Sequence, residues 1–270
     1  MKIFSICLIK NEADVIEFCL SQASRWSDRI FVYDNGSTDG TWEKVCAMKN
    51  DIIVPWKSDT GVFNDCMRGD VFQEFRREAA EGDWWCRLDA DESYVQDPRA
   101  FLSKVPPRYH VVWGMAIEYF ITRQDVQKCQ FTGDFAQDIK NIRHYRALNS
   151  EARFFKHRRR LEWNINGSWP THLGLTYPER ILFRHYQFRS PQQMQLRIET
   201  RRQTRKAGTV MYWEVDEGVT WRDKLEDAGA LHLDKGDGEY VIDKNRLPDH
   251  LQSMPIRVMK SILHGLKIWP

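Results

Sequence analysis

The sequence predicts an α/β fold: a mixed, mainly parallel sheet with helices on both faces, followed by a C-terminal helical and irregular extension. Three observations predict it. Short apolar runs alternate with stretches of helical periodicity through the first hundred residues. The first run, residues 3–9, is almost continuously apolar, the form of a strand buried on both faces of a parallel sheet. Polar clusters then fall directly after three of the runs, where open sheets of this kind bind their ligands.

The elements follow in order. After the strand at 3–9, Asn11 is placed to cap a helix in which Val15, Ile16, Cys19, Leu20 and Ala23 recur at helical spacing. Residues 29–33 form a second strand, ended by the turn-rich Asp34-Asn35-Gly36-Ser37-Thr38-Asp39-Gly40. A helix near 41–48 and a strand at 52–54 come next. Val71, Phe72, Phe75 and Ala79 mark another helix, and the strand at 84–88 runs straight into an acidic cluster. Beyond residue 105 the pattern changes: 109–122, 152–157 and 181–187 read as strands, and 192–206 as a helix opened by Pro191. Residues 208–249 are polar and irregular, without an assignment, before Ser253-Met254-Pro255 opens a final helix. The chain thus divides at 1–105, 106–207 and 208–270, the first two being halves of one domain.

Composition narrows the function classes. A hydrophobic fraction of 42% with 11 Trp in 270 residues supports a packed core and excludes a disordered chain. The net charge of +2 hides an uneven distribution, because residues 153–206 hold thirteen Lys or Arg against three Asp or Glu. A basic half beside an acidic one suggests a polyanionic ligand. The six cysteines are scattered without a C-x-x-C pair, which suits reduced core thiols in a cytosolic protein. Charged residues arrive within ten positions of Met1, too early for a signal peptide, and no run approaches the ~18 apolar residues of a membrane span. The expectation is a cytoplasmic protein that rests, at most, on the inner face of a membrane.

The motifs say which anion. Asp89-Ala90-Asp91 places two carboxylates at a strand end, the oxygen-rich setting that Mn²⁺ or Mg²⁺ prefers when it bridges a protein to a diphosphate. An isolated D-x-D is usually a solvated turn; this one follows an apolar strand at the expected ligand edge. Asp34 stands at the tip of the second strand, where it can accept hydrogen bonds from a nucleobase or ribose, while Ser37 and Asp39 are ordinary helix caps.

Three segments together carry a resemblance: Leu8-Ile9-Lys10-Asn11-Glu12, Val32-Tyr33-Asp34-Asn35-Gly36-Ser37-Thr38-Asp39-Gly40-Thr41, and Asp83-Trp84-Trp85-Cys86-Arg87-Leu88-Asp89-Ala90-Asp91-Glu92. In this order and spacing, over roughly residues 1–100, the chain resembles the family 2-like glycosyltransferases of bacteria. The resemblance implies a glycosyltransferase-A (Rossmann-like) fold and a nucleotide-diphosphate sugar donor, with 1–105 as the donor-binding half and 106–207 as the acceptor side. It also implies that Asp34, with Asn35 beside it, binds the nucleoside, that Lys10, Asn11 and Glu12 line the base pocket, and that Asp89 and Asp91 hold the metal. Further on, His185-Tyr186-Gln187-Phe188-Arg189-Ser190 resembles a segment of the same group. There His185 is a candidate further metal ligand or a hydrogen-bond donor to the diphosphate, and Arg189 a candidate phosphate clamp. Their bland readings are a strand-end histidine and a surface arginine. Arg197, Arg201 and Arg205 share one helix face, the pattern of a solvated face or of a phosphate track.

Transfer to a hydroxyl needs a general base. Relatives place one after the strand following the metal site or in a Val-His-Glu-like segment. Here Trp169-Pro170-Thr171-His172-Leu173-Gly174 lacks the glutamate, so Glu118, Asp134 and His172 stand as alternatives. The final helix is amphipathic: Ile256, Met259, Leu263 and Leu266 form one face, and Arg257, Lys260, His264 and Lys267 the other. That pattern suits docking on the core or peripheral contact with an anionic membrane. The expected activity is metal-dependent, inverting sugar transfer to a glycan or lipid-linked acceptor, with no nucleic-acid partner. The rival readings are a sugar nucleotidyltransferase, which usually has a Gly-rich loop after the first strand, and a non-catalytic glycan- or nucleotide-binding relative.

Overall fold

A computed structural model describes residues 1–61, 64–164, 167–206, 217–266 and 268. The parallel block comes first. β1 (Ile3–Ile9) pairs in parallel with β2 (Arg29–Asp34) on one side and β4 (Trp84–Asp89) on the other, and β3 (Ile53–Ser58) extends the block beyond β2. All seven residues of β1 are buried. Alternation sorts them between two cores: Ile3, Cys7 and Ile9 pack with α1 (Ile16–Ala23) and Val45 of α2 (Thr41–Ala47), while Phe4, Ile6 and Leu8 pack with α3 (Met67–Phe75). Helices therefore cover both faces, as the apolar run requires. Aromatic stacking stiffens the second core, with Phe4 and Trp85 ring centroids 5.1 Å apart and Phe31 and Phe75 3.9 Å apart.

The sheet continues past β4 through strands of both directions. After β5 (Glu92–Tyr94) and α4 (Pro98–Leu102) come β6 (Val111–Phe120), α5 (Arg123–Lys128), α6 (Phe135–Asp138), β7 (His144–Arg146), β8 (Ser150–Lys156) and β9 (Thr176–His185). β8 runs antiparallel between β4 and β6, so residues before and after 105 share one sheet. β6 and β9 run parallel, which brings Glu118 and His185 side by side at one end. The longest ladders, β1–β2, β1–β4 and β6–β9, are all parallel. The architecture is α/β with a mixed, mainly parallel sheet. Close approach is needed at Gly114 of β6, where an added Cβ would lie 2.7 Å from the Phe183 ring and 2.8 Å from the Arg153 stem.

α7 (Pro191–Lys206) follows β9, and residues 217–250 strap across a third core, where Trp221, Leu225, Tyr240 and Ile242 pack against β6, β7 and β9. Part of the span read as irregular, 208–216, lies outside the described residues. The rest holds three short 3-10 turns, with a two-residue β10 (His232–Leu233) added beside β7. α8 (Met254–Gly265) closes the described chain. All six cysteines are free; Cys7, Cys19 and Cys86 are buried as expected of core thiols, whereas Cys46 is exposed. Among the described residues no helix is long and apolar enough to cross a membrane.

Candidate active site

The strand ends of the parallel block open onto a cleft of about 760 Å³, lined from β1, β4, β6, β9 and α7. That volume lies within the usual range for small-ligand sites. Lys10, Asn11 and Glu12 enter from the β1 end, Asp89 and Asp91 from the β4 end, Glu118 from β6, His185 from β9, and Arg197 and Arg201 from α7. The first loop is rigid. Asn11 takes a left-handed φ of 55°, and its side chain receives Thr38 N at 2.9 Å and donates to Thr200 Oγ1 of α7 at 3.1 Å. Glu12 is thereby aimed at Arg189, with Arg197 at 3.7 Å.

Asp89 and Asp91 both face the cleft, but they grip different cations. Asp89 lies between Arg68 and Arg153, the latter at 3.1 Å. Burial alone would raise its pKa, yet Arg68 and Arg153 hold the carboxyl well below its usual range. Arg153 also reaches Glu92 and, at 2.5 Å, Glu151, while Arg87 joins Glu151 at 3.1 Å. Burial pushes Glu92 up to about 8, so at neutral pH it is the member that keeps a proton. Asp65, Asp89 and Glu151 are then left against Arg68, Arg87 and Arg153. Carboxylate oxygens of Asp89, Glu92 and Glu151 lie within 4.8 Å of one another, a spacing that suits a metal. The Arg153 guanidinium already sits among them, however, and this trio is a cage for arginine.

Asp91 makes a different site. Its Oδ2 lies 3.4 Å from His185 Nε2 and 3.1 Å from Arg197 Nη1. Two ligands of one divalent ion, bonded at ~2.1 Å each and roughly at right angles, stand ~3 Å apart, so the Asp91–His185 spacing fits a shared ion. An imidazole beside carboxylate oxygen suits Mn²⁺ better than Mg²⁺. Burial would depress His185, but Asp91 together with Glu118 raises it to about 10, so the ring holds a proton where metal binding would displace it. Asp91 is in turn held well below its usual range by His185, Arg197 and Arg189, against the effect of burial. Burial and the neighbouring Arg197 push Arg201 down to about 9.

The remaining expected residues are placed elsewhere. Asp34 is fully buried and spends its carboxylate on the turn: it accepts from Gly36 N, Ser37 N, Ser37 Oγ and, at 2.6 Å, Ser58 Oγ. It does not line the cleft. Asn35 is buried as well; its Nδ2 donates to Gly61 O at 2.7 Å, while its Oδ1 has no donor among the described residues. Arg189 is neither a surface arginine nor a cleft-lining clamp. Only 1% of its side chain is exposed, and Asp14, Glu12 and the Tyr186 carbonyl consume its donors, which makes it a strut between α7 and the β1 loop. Asp134 caps α6 through Ala136 N and lines a separate cavity of about 490 Å³. His172 sits at φ 56° in an exposed loop whose carbonyl receives Arg158. Of the three base candidates, only Glu118 reaches the cleft. Its Oε1 accepts from Asn149 at 2.6 Å and lies 3.9 Å from His185 Nδ1. Among the described cleft carboxylates, it alone has no arginine partner.

Arg68, Arg87, Arg153, Asp65 and Glu151 were not singled out by sequence motifs. The basic excess of 153–206 was the available signal, and much of it neutralises the acidic N-terminal half from within. The cleft lining ends up with six acids (Glu12, Asp65, Asp89, Asp91, Glu118, Glu151) and six Lys or Arg (Lys10, Arg68, Arg87, Arg153, Arg197, Arg201).

No protein-family model matches the chain, and no curated protein matches it either. Among solved structures it is similar to the mannosyltransferase PcManGT from Pyrobaculum calidifontis in complex with GDP-Man and Mn²⁺, at 20% identity and a TM-score of 0.32 over 45% of this chain. It is also similar to S. aureus TarS 1–349, at 20% identity and TM-score 0.30 over 46% of this chain, and to the same protein in complex with UDP over 44%. The chain spans 36% of the length of each of these structures.

Proposed function

We propose that the chain is a metal-dependent glycosyltransferase that moves a sugar from a nucleotide-diphosphate donor to the hydroxyl of a glycan or lipid-linked acceptor, with inversion. One observation carries the reading: an Asp91–His185 pair spaced for a single cation stands beside Arg197 and Arg201 in a cleft of donor size, with an unclamped carboxylate, Glu118, at its edge. Asp91 and His185 would hold Mn²⁺, with Mg²⁺ the poorer fit to an imidazole. Bound there, the metal supplies charge neutralisation at the departing diphosphate.

The chain's own residues supply the rest. Arg197 and Arg201 project from α7 toward the place where negative charge grows, an electrostatic contribution that favours the transition state over the ground state. Glu118 takes the proton of the acceptor hydroxyl; arginine-clamped carboxylates such as Asp89 are poor bases by comparison. Asp89, pinned by Arg68 and Arg153, keeps the β4 end in place and offers an edge to the donor's ribose. Lys10 and the rigid Asn11 loop border the nucleoside.

The test is a thermal-shift panel of nucleoside diphosphates with and without Mn²⁺, followed by donor-hydrolysis assays. The expected result is a metal-dependent stabilisation by one nucleotide that disappears in Asp91→Asn. A panel with no response, or a response indifferent to Asp91→Asn, overturns the proposal.

A further inference from the structure

α8 is mounted with its polar side inward. Lys260 Nζ donates to the Leu173 carbonyl at 2.5 Å, the His264 ring lies tilted 4.2 Å from that of His110, and Gln252, just before the helix, donates to Thr176 Oγ1 at 3.0 Å. Gly174 makes room for this seat, because a Cβ there would lie 2.3 Å from the His110 ring. The apolar side faces out. Met254, Ile256, Val258, Met259, Ile262 and Leu266 are all exposed, Ile262 by 56% and Leu266 by 62%, and at 100° per residue they sweep one continuous face. Ile268, past the end of the helix, is also 59% exposed, while Lys267, expected on the polar face, lies outside the described residues. This inverts the usual arrangement, in which an amphipathic helix turns its apolar stripe to the core. An exposed apolar face of this extent on one helix marks an interaction surface.

Charge selects the occupant. From His250 onward the sequence has Arg257, Lys260 and Lys267 and no Asp or Glu. Arg158 lies close enough to α8 to depress both Lys260 and His264, behind the burial of each, and the exposed Arg159 and Arg160 follow in the same loop. The borders of the apolar face that this segment itself supplies are therefore cationic. Two copies paired through it would bring those borders together, like against like, whereas lipid headgroups of negative charge would neutralise them. We infer that α8 docks the protein onto an anionic phospholipid surface, its outward apolar residues entering the acyl boundary and the exposed Arg159 and Arg160 resting on the headgroups. The inference stands apart from the glycosyl-transfer reading, and its readout is partition between phases rather than catalysis.

The experiment is co-sedimentation of the full chain with vesicles of phosphatidylglycerol and phosphatidylcholine, and with phosphatidylcholine alone. Mixed vesicles should bind and neutral ones bind more weakly. Val258→Gln with Ile262→Gln should lower the partition coefficient on the order of tenfold or more, and Arg159→Gln with Arg160→Gln should weaken it in a salt-dependent way. Both pairs are exposed, so melting temperatures should stay put; Leu266→Gln, one turn on, gives the same readout should the first pair disturb the helix. No binding by the parent chain to mixed vesicles overturns the inference. So does partition unchanged by the apolar substitutions. A lipid-free dimer in light scattering that dissociates in Val258→Gln with Ile262→Gln overturns it too, and assigns the face to a second copy.

Discussion

Replacing Arg153 with methionine tests the charge cage at the β4 end most directly. The side chain is 2% exposed and reaches Asp89, Glu92 and Glu151, with its guanidinium 4.4 Å from the centroid of the Phe183 ring. Methionine refills the space over Phe183 and keeps a favourable sulfur–ring contact, so the loss isolates charge. Removing one partner of a buried ion pair costs about 3–5 kcal/mol, because the other is left uncompensated. For a chain of this size that corresponds to a melting temperature lower by about 10 °C. The pH dependence has a fixed sign. Asp89's folded pKa lies below its unfolded value of about 3.9, so its pairing stabilises the fold above that value and is lost as pH falls through the folded one. The variant's deficit is therefore full near pH 7 and shrinks below about pH 4. Urea titrations of both chains at several pH values measure it. A deficit under about 1 kcal/mol at pH 7, or one that does not diminish on acidification, would mean that the cage is not a charge device.

Other expectations can be stated briefly. Glu118→Gln should retain nucleotide binding yet slow transfer by about 10²–10⁴-fold, while Asp134→Asn and His172→Ala should stay within about twofold of the parent; steady-state kinetics decide, and a slow His172→Ala would reopen the choice of base. Arg189→Lys should destabilise by about 2–4 kcal/mol in urea melts, since one ammonium cannot serve Asp14, Glu12 and a carbonyl together; a stable variant with a raised KM for donor would instead return Arg189 to the phosphate. Burial, with Arg158 and His264 nearby, pushes His110 down to about 2, and its Nδ1 accepts from Leu175 N at 3.2 Å. The unfolded chain therefore protonates first: this contribution is full above about pH 6.5 and drains away as pH falls below it. His110→Gln should lose less stability than the parent between about pH 7 and 5, and parallel curves would contradict the assignment.

The parallel block was readable because β1, β2 and β4 are buried on both faces and leave near-continuous apolar runs. β9 was seen only from Ile181 onward: its first residues include Tyr177, Pro178, Glu179 and Arg180, which are not fully buried and carry no apolar signal. α5 and α6 are too short for periodicity and are set by their caps, Thr122 and Asp134. Among the cleft-lining residues, Asp91, His185 and Glu118 could be nominated because strand ends are local features. Their arginine partners could not. Arg153 meets Asp89 across 64 positions and Arg197 meets Asp91 across 106, so those pairs exist only once β8 and α7 cross back. The Arg197–Arg201–Arg205 spacing is the same for a solvated face as for a cleft wall. Asp34 is ambiguous for a related reason: a carboxylate at a strand tip looks alike in sequence whether it faces a ligand or knots its own turn.

Six acids stand against six Lys or Arg and the protonated His185 around one cleft, which leaves it with only a small long-range pull. A lone divalent ion approaching Asp91 meets the repulsion of Arg197 and its neighbours, and a lone diphosphate meets a comparable set of carboxylates. A diphosphate already carrying its cation is nearly neutral and encounters neither barrier. On the proposed function, such a mouth would favour the paired species over each component, making saturation by donor and by metal mutually dependent and only weakly sensitive to ionic strength.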